Sequence, residues 1–588
     1  MSTLTWVLTG LLAFWFALYA LRARGLLPES VRFQGPFVTL HTVRGRKLLN
    51  RLAAPKRFWR AWGNFGLGVA MVVMVTAVAY FVVQAVVILQ NPPGIERLAQ
   101  PSYYLAVPGV NPLLPLEMAP EIVLGLLIGL VVHEGGHGIL CRVEDIDVDS
   151  LGLVFLSFVP MGAFVQPDEE SQRTADRGAR ARMFAGGVTN NFAVTAVFLV
   201  LLFGPVIGSL SPVAGAAIAG TVPGSSAADA GIERGDVITG VANESIESND
   251  ALNDVLEGTP ARNVPVTLKS GETAVVNRSL LVMGIVEGTP TNLSRGETIT
   301  RVNDTPVHTY RGLLDALESR PVATLHTRNT TTTGPMGAYV FAIEGGPFNE
   351  SGAEQGAHVL TSLNGERTVT RADLSAALGN TTPGQTVPVV AYRNGERTEF
   401  SVELGSQEGD DDGYLGVQIS SGISGASVSD FGVETYPANC YLQVLGGDED
   451  CGLGGLGLPF QIYLVLIFPV IGLAGAIPQL PFNFAGFFGP VANFYAVDGP
   501  LAALGGGVFA LANVLYWGAW ININLGLFNC VPTFVLDGGH MLRAGAEAVV
   551  ARLPVDNRTE LVSAVSVGIQ LLMLISLLTM VFAPSLLN

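Results

Sequence analysis

Apolar residues in this chain gather into runs of membrane length, separated by polar stretches of very unequal size. A helix needs about 20 predominantly apolar residues to cross a bilayer. Runs of that kind cover residues 4–21, 65–89, 121–140, 183–207, 457–477, 501–528 and 561–582. The stretch 480–497 is rich in Gly, Pro and Phe, and fits a broken or re-entrant helix as well as a span. Residues 151–166, LGLVFLSFVPMGAFVQ, are too short for a helical span, rich in β-formers and broken by Pro160 and Gly162. They predict a membrane-inserted hairpin or loop; the other reading is a short buried strand pair in a cytoplasmic loop. The expected fold is a polytopic α-helical membrane protein carrying a large polar α+β insert, residues 209–455.

The insert repeats itself. Gly235-Asp236-Val237-Ile238-Thr239 corresponds to Gly296-Glu297-Thr298-Ile299-Thr300, and a weaker copy starts at Gly356-Ala357-His358-Val359-Leu360. Each copy continues through a polar turn into a short amphipathic helix, then strands such as NVPVTLKS and TVPVVAYR. The pattern resembles tandem PDZ domains, which accept a peptide terminus as an added strand. The resemblance implies PDZ-like units at 213–281, 282–330 (partial) and 335–404 (weaker). Residues 330–335 and 405–415 are expected to be linkers.

Hydrophobic residues make up 49% of the 588 residues and charged ones only 14%; mean hydropathy is +0.44. The formal net charge of −17 argues against nucleic acid as a partner. Cationic loops mark the cytoplasmic side of a membrane protein. Residues 22–62 hold ten Lys or Arg, among them Arg22, Arg44, Lys47 and Arg60; the loop with Arg173, Arg177, Arg180 and Arg182 belongs on the same side, as do Arg543 and Arg552. The insert is then extracytoplasmic. No Lys or Arg lies between Arg397 and Arg543, so the rule is silent there. Parity requires an odd number of crossings between 455 and 543. The N-terminal run has neither a basic n-region nor a small-residue cleavage site, and predicts a first span rather than a cleaved signal. Of four Cys, 440 and 451 flank a short acidic loop and suit a disulfide outside the cytoplasm; two unpaired thiols are the other reading.

The chemistry is concentrated in His133-Glu134-Gly135-Gly136-His137, inside the run EIVLGLLIGLVVHEGGHGIL. Two His four apart share a helix face and suit two ligands of one tetrahedral zinc. The glutamate between them suits a general base. Ionisable groups at membrane depth are costly and point to function, although two satisfied His at a helix interface would give the same spacing. The third-ligand candidate is Asp537, in Val535-Leu536-Asp537-Gly538-Gly539-His540, since a carboxylate ending an apolar segment needs a partner. A helix cap is its bland alternative, and Glu169 or Glu170 would be the ligand in a soluble-type arrangement. His540 suits hydrogen bonding to a ligand, or simple interface packing.

Together, the HEGGH helix and Leu536-Asp537-Gly538 resemble the site-2 protease family of intramembrane zinc metalloproteases. Phe184-Ala185-Gly186-Gly187-Val188-Thr189-Asn190-Asn191-Phe192 is similar to that family's third motif, with Gly187 where many members have Pro. The spacing within that motif favours Asn190 as its polar asparagine. The resemblance implies Zn2+ held by His133, His137 and Asp537, Glu134 as the base, and Asn190 donating to substrate or oxyanion; interhelical hydrogen bonding is the alternative role for Asn190. It implies single-span membrane proteins as substrates, peptide termini at the PDZ-like units, and a multi-pass cell-membrane location with the active site in the bilayer near the cytoplasmic side. The corresponding layout is N-terminal spans and basic loop (1–120), catalytic membrane core (121–208 and 457–545), an acidic linker with the Cys pair (405–456), and a C-terminal span (546–588). Two other functions are open to such a chain: an inactive scaffold that binds extracytoplasmic peptides, and a zinc transporter. A scaffold does not need all four of His133, Glu134, His137 and Asp537, and a transporter needs polar groups along a path that the other spans lack.

Overall fold

The structure is a computed structural model. It describes residues 3–587 apart from 27, 29, 35–36, 91–107, 112, 157–158, 287, 408–409, 448–450, 454, 456 and 476. The chain forms two compact units. One comprises Met1–Ser211, Asn439–Phe488 and Val497–Asn588; the other comprises Pro212–Ala438 and Gly489–Ala496.

The first unit is built on helices α1 (Thr3–Ala23), α2 (Val43–Leu52), α3 (Lys56–Gln90), α4 (Ala119–Val143), α5 (Arg177–Leu201), α6 (Gly507–Cys530), α7 (Asp537–Val550) and α8 (Arg558–Leu587). Among the described residues, five stretches are long and apolar enough to cross a membrane: Lys56–Gln90, Leu116–Val143, Arg177–Ser209, Gly507–Cys530 and Arg558–Ala583. Their outward faces stay apolar, with Val72, Val75, Val200 and Ile575 all exposed. A helix that is apolar all round belongs in a membrane or a large core. Small residues let the inner faces meet. A Cβ on Gly136 of α4 would come within 2.4 Å of the Gly186 carbonyl of α5, so the two backbones touch at that crossing. At one end of the bundle, the buried Glu144 carboxylate accepts two 2.9 Å hydrogen bonds from Arg182 and one from Arg60, which ties α3 and α5 to the foot of α4.

The expected span at 457–477 and the open reading of 480–497 both resolve into broken structure. Residues 457–477 make only the helix Leu458–Ile467, a 3₁₀ turn Phe468–Val470 and a last turn Ile471–Ala474 that ends at a left-handed Gly475. Pro469 lacks the N–H that an uninterrupted helix would use there. Residues 480–497 contain no α-helix; they fold as loop, 3₁₀ turns and a short strand, Tyr495–Val497, with Phe484 packed against Phe468, Tyr441, Phe487 and Tyr516. Between 455 and 543, α6 is the one span-length helix among the described residues. α1 is a 21-residue helix that covers the expected first span, residues 4–21.

Residues 151–166 lie in strands β3 (Val148–Leu156) and β4 (Val159–Pro167), with the tip at 157–158 outside the described residues. They join β1 (Val31–Gln34) and β2 (Phe37–His41) in an antiparallel sheet of order β1-β2-β3-β4. The basic segment 22–62 thus contributes two strands that its charge had hidden. β4 is an edge strand and packs along α4.

The second unit holds three sheets with one topology. Their strand orders, by residue range, are 273–277, 263–268, 237–241, 216–221, 433–435; then 331–335, 322–327, 298–302, 280–285, 426–429; then 396–403, 386–393, 356–363, 338–342, 417–419. The repeat has a backbone cause. Gly235, Gly296 and Gly356 all have positive φ before the second strand, and Asn243, Asn303 and Asn364 all sit left-handed in the turn after it. Each sheet then receives an N-capped helix: Asn249–Gly258 behind Ser248, Tyr310–Leu317 behind Thr309, Arg371–Gly379 behind Thr370. The third copy is as complete as the others.

Two expected linkers are corrected here. Residues 331–335 are an edge strand, because their threonines ladder against 322–326. Within 405–456, a hairpin of Gly405–Gln407 with Asp410–Tyr414 comes first. The chain then returns along all three modules in reverse order and gives each a short closing strand. These strands carry only three or four residues each, too few for alternation to register. Between the first and second modules, the buried Arg278 donates to Asp430 at 2.6 Å and to the Leu256 carbonyl. Between the second and third, Arg367 donates to the carbonyls of Leu317 and Met336. Cys440 and Cys451 are disulfide-bonded, with Cα atoms 5.2 Å apart.

Candidate metal centre

α4 places His133 and His137 one turn apart on the face turned to α5. Asp537 is the first residue of α7, which starts where Pro532 and the turn after it end α6. The three side chains converge. His133 Nε2 is 3.1 Å from His137 Nε2 and 3.1 Å from Asp537 Oδ2, and His137 Nε2 is 3.2 Å from the same oxygen. Among the described residues, this is the cluster of His, Cys, Asp and Glu whose ligand atoms come close enough for one metal ion. Glu169 and Glu170 are exposed and lie outside it.

Proton placement decides what the cluster is. His137 Nδ1 lies 2.8 Å from the Met183 carbonyl, which can only accept, so Nδ1 carries the proton and Nε2 presents a lone pair. His133 Nδ1 lies 3.3 Å from Asn191 Nδ2, and the Asn191 Oδ1 is buried without a partner; the two amide atoms differ only by a flip of the side chain. With that amide turned to offer Oδ1, His133 is held in the same tautomer. Asp537 Oδ2 is buried and has no hydrogen-bond donor. Three ligand atoms facing one another at 3.1–3.2 Å are placed to share one cation. Tetrahedral zinc with bonds of about 2.0–2.1 Å sets neighbouring ligand atoms about 3.3 Å apart, close to what is observed. Two His and one carboxylate also leave a fourth position for water or substrate.

Space around the cluster is equally specific. A Cβ on Gly187 would lie 2.7 Å from His133 Cε1 and 2.8 Å from His137 Nε2. Glycine is therefore the residue α5 can place there. Glu134 lies between the two histidines in sequence, and its Oε2 accepts a 2.8 Å hydrogen bond from the Val165 amide of β4. That bond uses one lone pair and fixes the carboxylate beside the metal-binding turn. His540 stacks on Phe184, ring centroids 4.3 Å apart and nearly parallel, and serves as packing.

The two asparagines exchange their expected places. Asn190 Oδ1 accepts from Trp62 Nε1 at 2.9 Å, an interhelical bond to α3. Asn191 is fully buried and touches His133. One helical residue is about 100° of rotation, so motif spacing alone could not choose between neighbours. Sequence reasoning also missed the Met183 carbonyl and the Val165 amide, since backbone groups carry no residue-type signal.

A His-Glu-x-x-His helix and a carboxylate from a second helix, set among helices of membrane length, define a membrane-embedded metallopeptidase centre. The model of Peptidase family M50 matches residues 121–575, and the chain belongs to that family, whose zinc the three ligands suit. Among curated proteins, it is 27% identical over 205 residues to an uncharacterized Methanocaldococcus jannaschii protein (34% of this chain, 52% of that one). It is 27% identical over 207 residues to the zinc metalloprotease RasP of Oceanobacillus iheyensis (34% and 41%). It is 26% identical over 173 residues to a probable periplasmic serine endoprotease DegP-like of Hahella chejuensis (29% and 36%). The chain thus spans about half or less of the relatives it matches.

Proposed function

We propose that this protein is an intramembrane zinc metalloprotease that cleaves transmembrane segments of membrane-anchored proteins. The observation that carries the reading is the convergence of His133, His137 and Asp537 at 3.1–3.2 Å within helices of membrane length, beside Glu134. When bound, zinc would polarise the scissile carbonyl and lower the pKa of a water. Glu134 would be the base that takes a proton from such a water and passes it to the leaving amine. Asn191 and Met183 hold the two imidazoles with their Nε2 lone pairs inward. The Asn191 Oδ1 has no protein partner; a flip of that amide would turn Oδ1 to His133 and free the NH2 as a donor for a substrate carbonyl or its oxyanion.

The cationic ends of the span-length helices support one orientation. Arg60, Arg177, Arg180, Arg543 and Arg558 then lie on the cytoplasmic side, and the insert lies outside the cytoplasm with its PDZ-like modules open to peptide termini. The insert joins α5 to the segment that leads into α6, so it is suited to screening substrates by the size of their ectodomains. Zinc analysis of purified protein, paired with cleavage of a single-span model substrate in vesicles, tests the reading. Stoichiometric zinc and chelator-sensitive cleavage support it; protein without zinc and without cleavage refutes it.

A further inference from the structure

Away from the metal centre, α5, α7 and α8 meet around a cavity of about 290 Å³, lined by Arg177, Arg543, Arg558, Thr559 and Glu547, with Val550 and Val562 as a buried apolar floor. Arg180 stands beside it. Four guanidiniums thus gather around one carboxylate, and only two of them approach it. Arg180 and Arg543 approach Glu547 at 3.5 and 3.6 Å, beyond good hydrogen-bond length. Arg177 donates to the Glu547 backbone carbonyl and Arg558 to that of Leu553. The buried Arg180 Nε has no partner. A guanidinium offers five donors in a fork matched to phosphate, and most of those here are unspent. Arg177 and Arg558 are the first residues of two span-length helices, so the cavity lies at the level where a bilayer presents its headgroups.

We propose that this cavity binds a phosphate-bearing anionic headgroup, with the arginines on the phosphate and the first methylenes on Val550 and Val562. The cavity is sized for a headgroup rather than a larger ligand. α7 links it to the metal centre, because the helix that carries Glu547 and Val550 begins at Asp537. The site is independent of whether the protein cleaves peptides.

The test titrates phosphatidylglycerol, in a zwitterionic detergent, into purified full-length protein and reads the dissociation constant from the melting shift. Three arginines near an anionic group predict an affinity loss of about 100-fold in Arg177→Gln/Arg543→Gln/Arg558→Gln at low salt. Arg46→Gln/Arg51→Gln/Arg57→Gln removes the same charge elsewhere and should change affinity by less than about twofold. Competition by inorganic phosphate assigns the site to phosphate from either source; lack of competition assigns it to the intact lipid. Equal weakening in both triple variants, or none in either, overturns the proposal. If the first triple variant fails to fold, Glu547→Gln decides. Loss of the competing carboxylate should tighten binding about fivefold, and unchanged or weaker binding contradicts the site.

Discussion

Asn191 touches the ring nitrogen of His133 at 3.3 Å, while Asn190, one residue earlier, is turned away to Trp62. This separates two roles that one motif had merged. Asn191→Leu removes the amide that touches His133 Nδ1 and orients its ring, and zinc affinity should fall about 10- to 100-fold. Asn190→Leu should leave zinc affinity unchanged and cost about 1 kcal/mol of interhelical stability. Competition with a zinc chelator measures the first effect and thermal unfolding in detergent the second. Equal zinc affinity in both variants would remove Asn191 from the site.

Gly187 gives a steric test of the same centre. Gly187→Ala would place a methyl within 2.8 Å of both imidazoles, and zinc should drop well below one per chain. Gly135, between the two histidines, has nothing within 4 Å of an added Cβ. Gly135→Ala should keep full zinc and gain up to about 1 kcal/mol in helix stability. Zinc analysis of the two proteins separates a filled site from a general effect of alanine.

The metal helix was readable in the sequence because two ionisable rings one turn apart are costly on an otherwise apolar helix unless something binds them. The third candidate ligand was readable because Asp537 ends an apolar run, and the structure brings it to the two histidines. The side chain that orients His133 was not, since neighbouring asparagines differ only by a rotation that packing sets. In the insert, glycine and asparagine at fixed offsets exposed the repeat, whereas the closing strands 417–419, 426–429 and 433–435 are too short for a period of two to register. The failed span at 457–477 had the right composition and the wrong backbone, because Pro469 and the glycines after it break a helix that apolarity alone would extend.

Those closing strands change how the insert can be removed. Deleting 213–404 strands three edge strands with no sheet to join, and such edges promote association. That variant should run as an aggregate in detergent size exclusion. Deletion of 213–435 should run as a discrete species that retains zinc. Similar behaviour of the two deletions would mean that the return strands matter little.

His358, almost fully buried in the third module, has its pKa pushed below the ordinary histidine value, chiefly by burial, with Arg393 adding and Glu354 and the Gly356 carbonyl opposing. The folded form therefore binds fewer protons than the unfolded one. Its contribution to stability is complete above the unfolded value of about 6.5 and is lost as pH falls through the lower folded value. Hydrogen-exchange protection of strand 356–363 in the full chain, corrected for intrinsic rates, should fall below about pH 6.5. His358→Asn should flatten that dependence, and an unchanged pH profile would place the titration elsewhere.

The most direct measurement of the central claim is zinc content and cleavage in Glu134→Gln, side by side with the unaltered protein. Glu134 is not among the converging ligands, and its hydrogen bond to Val165 is one that glutamine can also accept. The account predicts one zinc per chain in both proteins, and cleavage of a single-span substrate reduced by more than about 1000-fold in the variant, a loss at the upper end of what a general base contributes. Cleavage that survives with zinc in place would contradict Glu134 as the base, and loss of zinc from the variant would contradict the ligand set.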